Sequence, residues 1–324
     1  MANILVIGGA HIDHKGWLTA RHQPGASNPG RWKTEVGGGA FNAARNLARL
    51  GHAVTLVAPR GGDAAAELVA RAAEDAGVED CPLTFLDRAT PSYTAILEPD
   101  GNLVTALADM VLYDLVPARR LLSSRLRARL KTADLLLADS NLPQSALAAL
   151  ADASAALALP LAVIAVSPAK VTRWKPSLSK ITCLAMNSAE AAALTGQQAD
   201  TSCEWVRHLV QCGLPGGLIS TGAGPVTAFS SSGPGPASIT LQPPHLHDLV
   251  DVTGAGDALA SGYIDGLLAG GSIKANLTRG IALARSTAGV NGPVRPDLSS
   301  TVLAQALQAM PKPQHVQISS QDFP

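Results

Sequence analysis

The stretch DVTGAGDALASGYIDGLLAG, residues 251–270, carries the strongest pattern in the chain. Three small residues, Gly254, Ala255 and Gly256, precede an apolar segment that suits a helix, and Asp257 falls in its first turn. Small residues let the backbone approach a ligand closely, and the N–H groups at a helix N-terminus attract anions. The stretch therefore predicts an anion hole beside a carboxylate that can act as a general base. An ordinary N-capped helix is the structural alternative.

A second glycine stretch, GGGAFNAARNLARLG, covers residues 37–51. Gly37 and Gly38 permit close ligand contact, and Asn42, one turn into the predicted helix, can bond a hydroxyl group. A flexible turn before a buried helix is the alternative. A dinucleotide-binding fold is disfavoured, since GxGxxG should follow the first strand and GGAHID stands there instead.

Asp13 lies in that GGAHID segment, directly after the predicted first strand. Ligands of doubly wound sheets bind at the carboxyl ends of strands, and one carboxylate can hold two vicinal hydroxyls. Asp13 is thus a candidate substrate ligand, with a plain turn residue as the alternative.

Short apolar runs alternate with alanine-rich helical stretches along most of the chain. This alternation predicts an α/β fold with a doubly wound, mostly parallel sheet. The predicted strands are NILVIG, AVTLVA, DLLLAD, LPLAVIAV, ITCLAMN and GGLIS, with helices over 42–50 and 64–76 among them.

Two segments interrupt this pattern, at residues 15–36 and about 92–107. The first is polar and rich in Gly and Pro, while the second predicts two strands joined by a turn at Asp100 and Gly101. Extended segments that cannot join a parallel core predict a small β lid that excludes water from a pocket.

Composition limits the remaining classes of function. Lys plus Arg and Asp plus Glu both number 25, so no overall field attracts nucleic acid or an anionic membrane. The basic run 119–131 has leucines at helical spacing, which predicts a solvated amphipathic helix rather than an RNA-binding one. Four scattered cysteines and a start without a signal-like segment indicate a cytoplasmic protein. Residues 311–324 predict a flexible tail.

Together, the 251–257 motif, the glycine stretch and Asp13 resemble the PfkB or ribokinase family of carbohydrate and nucleoside kinases. The resemblance covers roughly residues 3–308, and we assign residues 1–310 to one kinase domain. It implies ATP and Mg²⁺ as cofactors and K⁺ as a further expected ion. It also implies the following roles: Asp257 as base, Gly254, Ala255 and Gly256 as anion hole, Asp13, Gly37, Gly38 and Asn42 as substrate ligands, Asn187 and Glu190 at Mg²⁺ and the phosphates, Thr221, Gly222, Gly224 and Asn291 at the nucleotide, and Asp251 and Thr253 at K⁺.

Two departures disfavour ribose as the substrate: Gly39 replaces a lysine that ribokinases commonly have, and His11 replaces a frequent substrate-binding asparagine. The segments SNPG, ADM and ADSN are instead similar to bacterial pseudouridine kinases. This resemblance implies transfer of phosphate to pseudouridine. The side chains expected near its base are Ser27, Asn28, Asp109 and Asp139, with His11 also at the substrate.

Other readings remain open from the sequence. Another sugar or nucleoside kinase of the family, acting on ribose, adenosine or inosine, is the alternative enzyme. A ligand sensor on the same fold is the alternative without catalysis. A small molecule is the expected partner, and a homodimer through the β lid is the candidate assembly.

Overall fold

The computed structural model describes residues 1–231 and 237–316 of the 324-residue chain. Its strands are β1 (Asn3–Ile7), β2 (His11–Leu18), β3 (Gly30–Gly37), β4 (Ala53–Val57), β5 (Pro59–Arg60), β6 (Glu79–Asp80), β7 (Leu83–Thr84), β8 (Ser92–Leu97), β9 (Leu103–Asp109), β10 (Leu135–Asp139), β11 (Leu161–Ile164), β12 (Cys183–Asn187), β13 (Gly216–Ser220), β14 (Val226–Ser230), β15 (Ala237–Gln242) and β16 (Gln314–Val316).

The α-helices are α1 (Gly39–Arg49), α2 (Ala64–Asp75), α3 (Val111–Asp114), α4 (Ala118–Leu121), α5 (Ser124–Thr132), α6 (Gln144–Ala156), α7 (Pro168–Val171), α8 (Ser188–Thr195), α9 (Ser202–Gln211), α10 (Ala255–Leu268), α11 (Ile273–Ala288) and α12 (Ser300–Ala309). A 3-10 helix covers Thr172–Lys180.

Ten strands form the central sheet, in the order β16-β15-β14-β13-β12-β11-β10-β1-β4-β6. The pairs from β13 to β6 are parallel, whereas β13, β14, β15 and β16 pair in antiparallel fashion. The predicted mostly parallel sheet is confirmed, and each of the six predicted strands belongs to it. Parallel pairing gathers the carboxyl ends of β1, β10, β11 and β12 at one edge.

Side chains of β1 show how the sheet is buried on both faces. Leu5 and Ile7 pack into a core with α6, α8 and α9, while Ile4 and Val6 pack into another core with α1, α2 and α10. Successive side chains of a strand point to opposite faces, so a strand covered by helices on both sides has apolar residues throughout. This is why NILVI is a continuous apolar run.

The smaller sheet has the order β3-β2-β8-β9 and matches the predicted lid. β2 pairs with β3 in antiparallel and with β8 in parallel fashion, and β8 and β9 form the predicted hairpin. In its turn Gly101 has a positive φ of 88°, and the Asp100 side chain accepts a hydrogen bond from Asn102 N at 3.0 Å. The lid strands begin at His11 and extend to Asp109, slightly beyond the predicted limits.

The basic run forms α4 and α5, in which Leu121, Leu126 and Leu130 are buried, as an amphipathic segment requires. The expected flexible tail differs in part from the structure. Residues 314–316 pair with β15 as an edge strand, and residues 317–324 lie outside the described residues. Among the described helices, none is both long and apolar enough to cross a membrane.

Candidate active site

The anion-hole motif forms the start of α10, as predicted. Gly254 is the N-cap residue and has a φ of 76°, and a Cβ at this position would collide with the carbonyl oxygen of Pro293. Only glycine both adopts a positive φ easily and lacks the Cβ that would collide here. Gly256 is exposed at the first turn, whereas the Ala255 N–H donates to Val252 O at 3.2 Å. The helix N-terminus is thus open toward solvent beside Asp257.

The Asp257 carboxyl is the most strongly perturbed acid of the site. Burial raises its pKa to about 7, and the charges of Asp139 and Glu190 act in the same direction. A hydrogen bond from Asn42 Nδ2, 2.7 Å long, and the charge of Arg45 oppose the rise. A carboxyl that titrates near neutral pH is suited to accept a proton during a reaction.

The glycine stretch lies between the lid and helix α10. Gly38 has a φ of 111°, and a Cβ there would collide with the carbonyl oxygen of Gly9. A Cβ on Gly37 would collide with the Asp13 carboxylate, and one on Gly39 would lie 3.4 Å from Asp257 Oδ1. The glycine stretch is therefore closely packed, with Asp13 and Asp257 on its two sides.

Asp13 lies on the lid strand β2 rather than in a turn after β1. Its carboxylate Oδ1 is 3.4 Å from His11 Nε2, and His11 Nδ1 is 3.1 Å from the hydroxyl of Tyr113. Tyr113 is buried, while His11 and Asp13 remain partly exposed. The contacts from Tyr113 through His11 to Asp13 orient the Asp13 carboxylate toward the glycine stretch.

Asp139 ends strand β10, as expected, but its side chain does not face open space. It is 0% exposed. Its carboxylate accepts hydrogen bonds from the N–H groups of Gly9 (2.9 Å), Ala40 (3.2 Å) and Asn141 (3.0 Å) and from Asn141 Nδ2 (2.7 Å). Asp139 therefore holds the loops that form the site, because buried carboxylates require such donors.

Asn187 and Glu190 form a capping box at the start of α8. Asn187 Oδ1 accepts from Glu190 N at 2.9 Å, and Glu190 Oε2 accepts from Asn187 N at 2.7 Å. Glu190 is 6% exposed, and burial raises the pKa of its carboxyl. It is thus a buried acid, unlike the surface glutamate of an ordinary cap.

The Asp251 carboxylate accepts from Thr253 N at 2.8 Å and from Gly292 N at 3.4 Å. Burial raises its pKa, but the hydrogen bonds from Thr253 and the positive charge of Lys15 outweigh it, so the pKa lies below its usual value. Lys15 belongs to the lid and donates to Thr253 Oγ1 at 3.1 Å. The neighbouring Asn291 is exposed.

The proposed nucleotide loop joins β13 to β14. Thr221 Oγ1 donates to Pro225 O at 2.8 Å, and Gly222 has a φ of 66°. Gly224 approaches Thr221 so closely that a Cβ would lie 2.6 Å from Thr221 Oγ1. The loop is compact and lies beyond the carboxyl end of β13.

Three predicted substrate residues lie on the lid surface. Ser27 and Asp109 are exposed, and Asp109 is in register with Ser92, which pairs with Ile12. The Asn28 side chain bonds Gln23 and Ala26 within its own loop. Among the described residues, no hydrogen bond joins these three side chains to Asp13 or Asp257.

Three residues that lie at the site were not predicted from the sequence: Arg45, Tyr113 and Val166. Arg45 stands one helical turn after Asn42, a spacing that could have revealed it. No pattern marks Val166, a β-branched residue with a φ of 68° whose Cγ2 lies 3.6 Å from a Cβ placed on Gly39. Such strained residues concentrate at functional sites.

Comparison with protein families shows which family the chain matches. The pfkB family carbohydrate kinase profile matches residues 1–299. The pseudouridine kinase of Escherichia coli strain K12 is 30% identical over 275 residues, covering 82% of this chain and 84% of its own length.

Solved structures of two kinases have the same fold as this chain. A carbohydrate kinase from Agrobacterium tumefaciens is 48% identical, covers 98% of this chain and 100% of its own, and superposes with a TM-score of 0.86. The Arabidopsis thaliana ribokinase, solved with ribose and ATP, shares the fold at 20% identity, with a TM-score of 0.82 and coverage of 95% and 99%. The chain therefore belongs to the pfkB family of carbohydrate kinases, ATP-dependent phosphotransferases whose acceptor is a hydroxyl group of a sugar or nucleoside.

Proposed function

We propose that this kinase phosphorylates the primary hydroxyl of pseudouridine, with Asp257 as its general base. The observation that carries the catalytic part is the Asp257 carboxyl, whose pKa is raised to about 7 beside an open helix N-terminus. The carboxylate removes the proton of the attacking hydroxyl, while the N–H groups of the first turn stabilise the charge on the transferring phosphoryl group.

ATP lies, in this proposal, across the carboxyl ends of the central strands. The Thr221–Gly224 loop and Asn291 border the nucleotide, and Glu190 faces the metal through water. Within the described residues, no cluster of three or more His, Cys, Asp or Glu side chains is arranged to hold a metal ion. This fits Mg²⁺, which keeps several waters and is bound mainly by the phosphates. When bound, Mg²⁺ neutralises charge on the phosphates.

Asp13 is proposed to hold the ribose hydroxyls, since its carboxylate lies on the glycine stretch opposite Asp257. Asn42 adds one amide N–H. Ser27, Asn28 and Asp109 are proposed to reach the base when the lid closes over the acceptor. Asp139 contributes indirectly, through the loops at Gly9 and Ala40 that it holds.

Support for pseudouridine comes from the relative at 30% identity. The chain also has His11 and Gly39 where ribokinases commonly have an asparagine and a lysine, which disfavours ribose. A cytoplasmic location belongs to the same proposal, because the buried free thiols Cys81 and Cys183 suit a reducing compartment.

The test is a comparison of kcat/KM for pseudouridine, ribose, adenosine and fructose 6-phosphate at equal Mg-ATP and potassium. A site built for a polar base rejects free ribose, because each unpaired buried polar group costs about 1 to 3 kcal/mol. We expect pseudouridine to exceed ribose by about tenfold or more, with one phosphate added in the product mass. A better rate with adenosine or ribose would refute the acceptor assignment and leave the kinase assignment intact.

A further inference from the structure

Arg45 lies on α1, three residues after Asn42, and its guanidinium is turned toward the catalytic site. Its Nη2 donates to Asn42 Oδ1 at 2.6 Å and to Val36 O at 3.0 Å. The guanidinium carbon lies 4.6 Å from the centre of the Phe41 ring. These three contacts hold the side chain in one position between the helix and the end of lid strand β3.

The chemistry of the two side chains fixes the orientation of the Asn42 amide. A guanidinium has only donors, so the amide must turn its oxygen toward Arg45. The amide nitrogen then faces Asp257 and donates to its Oδ2 at 2.7 Å. We propose that Arg45 is a positioning residue for phosphoryl transfer: it holds Asn42 in the orientation that donates a hydrogen bond to the catalytic base.

This orientation assigns different tasks to the two carboxylate oxygens of Asp257. Oδ2 is held by Asn42, while Oδ1 faces Gly39, where a Cβ would lie 3.4 Å away. Among the described residues, Asn42 is the side chain that donates to this carboxylate. Oδ1 is therefore the oxygen available to an acceptor hydroxyl, and Asn42 faces the substrate as a donor.

Without Arg45, the Asn42 amide is free to turn its oxygen toward Asp257. An amide oxygen accepts a hydrogen bond from a protonated carboxyl, so this orientation favours the inactive form of the base. Arg45 thus favours the ionised Asp257 carboxylate indirectly, because it fixes the orientation of the neutral Asn42 amide.

The charges around Asp257 act with this geometry. Asp139 from β10 and Glu190 from α8 raise the pKa of Asp257, and Arg45 from α1 lowers it. Burial and the nearby Arg49 lower the pKa of Arg45 to about 10, so it stays protonated at neutral pH. Without Arg45, the charges of Asp139 and Glu190 would still raise the pKa of Asp257, and the positive charge that lowers it would be lost.

The test compares Arg45→Met with Arg45→Lys. The methionine keeps an apolar stem against Phe41 but removes the charge and the donors. We expect the acidic limb of the kcat/KM profile to move up by about 1 pH unit and kcat at pH 7 to fall about fivefold, with the KM for ATP nearly unchanged. Arg45→Lys, which keeps the charge, should restore part of kcat. Arg49→Met, which removes an arginine one turn further along α1, is the matched control and should leave the profile in place.

The inference rests on the proposed role of Asp257, so the design separates the two. The acceptor is whichever of pseudouridine, ribose or adenosine the unsubstituted enzyme phosphorylates fastest. A carbon-13 titration of labelled aspartate carboxyls needs no substrate, and Asp257→Asn identifies the signal. In Arg45→Met the signal of Asp257 should titrate at a higher pH. An active Asp257→Asn variant would refute the base, whereas an unchanged titration in Arg45→Met would refute the role of Arg45.

A double-substitution cycle shows whether Arg45 acts through Asn42. In an Asn42→Ala background, Arg45→Met should lower kcat at least about threefold less than it does in the unsubstituted enzyme, because contacting residues of one network are not additive. An equal loss in both backgrounds would overturn the inference. If Arg45→Met does not fold, Arg45→Leu, which also lacks the charge and the donors, carries the same expected shift of the acidic limb, and absence of that shift would overturn the inference.

Discussion

Asp257 combines burial, which favours the protonated acid, with a hydrogen bond from Asn42 and the charge of Arg45, which favour the anion. The result is a pKa of about 7, so the fraction of active base changes over the neutral pH range. Because a base must be ionised to work, kcat/KM of the free enzyme should rise with pH through this value.

Replacement of Asp257 by Asn tests the residue directly. We expect kcat to fall by about 10² to 10⁴, the usual range for loss of a general base, while acceptor binding changes little. The neutral variant should also lose the rise in rate near pH 7. Turnover near that of the unsubstituted enzyme would exclude Asp257 as the base.

The same substitution has a predictable effect on stability. The folded-state pKa of Asp257 is raised, so its contribution to stability is complete at low pH and is lost as pH rises through about 7. Asp257→Asn should therefore raise the melting temperature relative to the unsubstituted protein, more at pH 8 than at pH 5. An equal difference at both pH values would show that Asp257 titrates elsewhere.

At the scale of elements, the loop before α10 is tied to the lid. Lys15 of β2 donates to Thr253, and in the loop after α11 a Cβ placed on Gly292 would lie 3.1 Å from Glu35 of β3. The lid ammonium thus stands beside the oxygens of Asp251 and Thr253 that are proposed to bind K⁺. A fixed positive charge and a bound ion can order the same loop.

We expect K⁺ to raise turnover by ordering this loop, and the stimulation to be larger in Lys15→Met, which has lost the ammonium beside Thr253. The measurement is kcat in potassium, sodium and a large organic cation at constant ionic strength. Lys33→Met, a substitution on the neighbouring lid strand, is the control. Equal rates in all three cations for both proteins would remove K⁺ from the proposal.

The sequence predicted these elements well where the pattern was local. The turn at Asp100 and Gly101 depends on its own residues, whereas the glycine stretches approach partners that are distant in the sequence. The function of Asp139 could not be foreseen, since its hydrogen-bond partners Gly9 and Ala40 are 130 and 99 positions away.

At the scale of the whole molecule, the six predicted strands of the central sheet were recognisable because each reads as a largely apolar run. The edge strand β16 was not, since QHV carries no strand pattern and is fixed by its pairing with β15. The candidate homodimer cannot be judged from the sequence, because assembly depends on which side chains the folded lid exposes.

The lid exposes large apolar side chains at both edges of its sheet. Trp32 on β3 is 56% exposed, and Leu103 and Leu107 on β9 are 57% and 70% exposed. Edge strands with such side chains tend to pair with another copy of the same surface. We therefore propose a homodimer through the lid.

Leu107→Lys tests this assembly. Burial of a leucine at an interface contributes about 1.5 to 3 kcal/mol, and a symmetric contact loses it from both copies, so the dissociation constant should rise about 100-fold or more. Sedimentation velocity over a range of concentrations measures the change. Leu157→Lys, at the end of α6 on the central domain, is the matched control and should sediment like the unsubstituted protein. A chain that stays monomeric at the highest concentration, or two lysine variants that sediment alike, would show that the exposed lid residues serve another purpose, such as covering the acceptor.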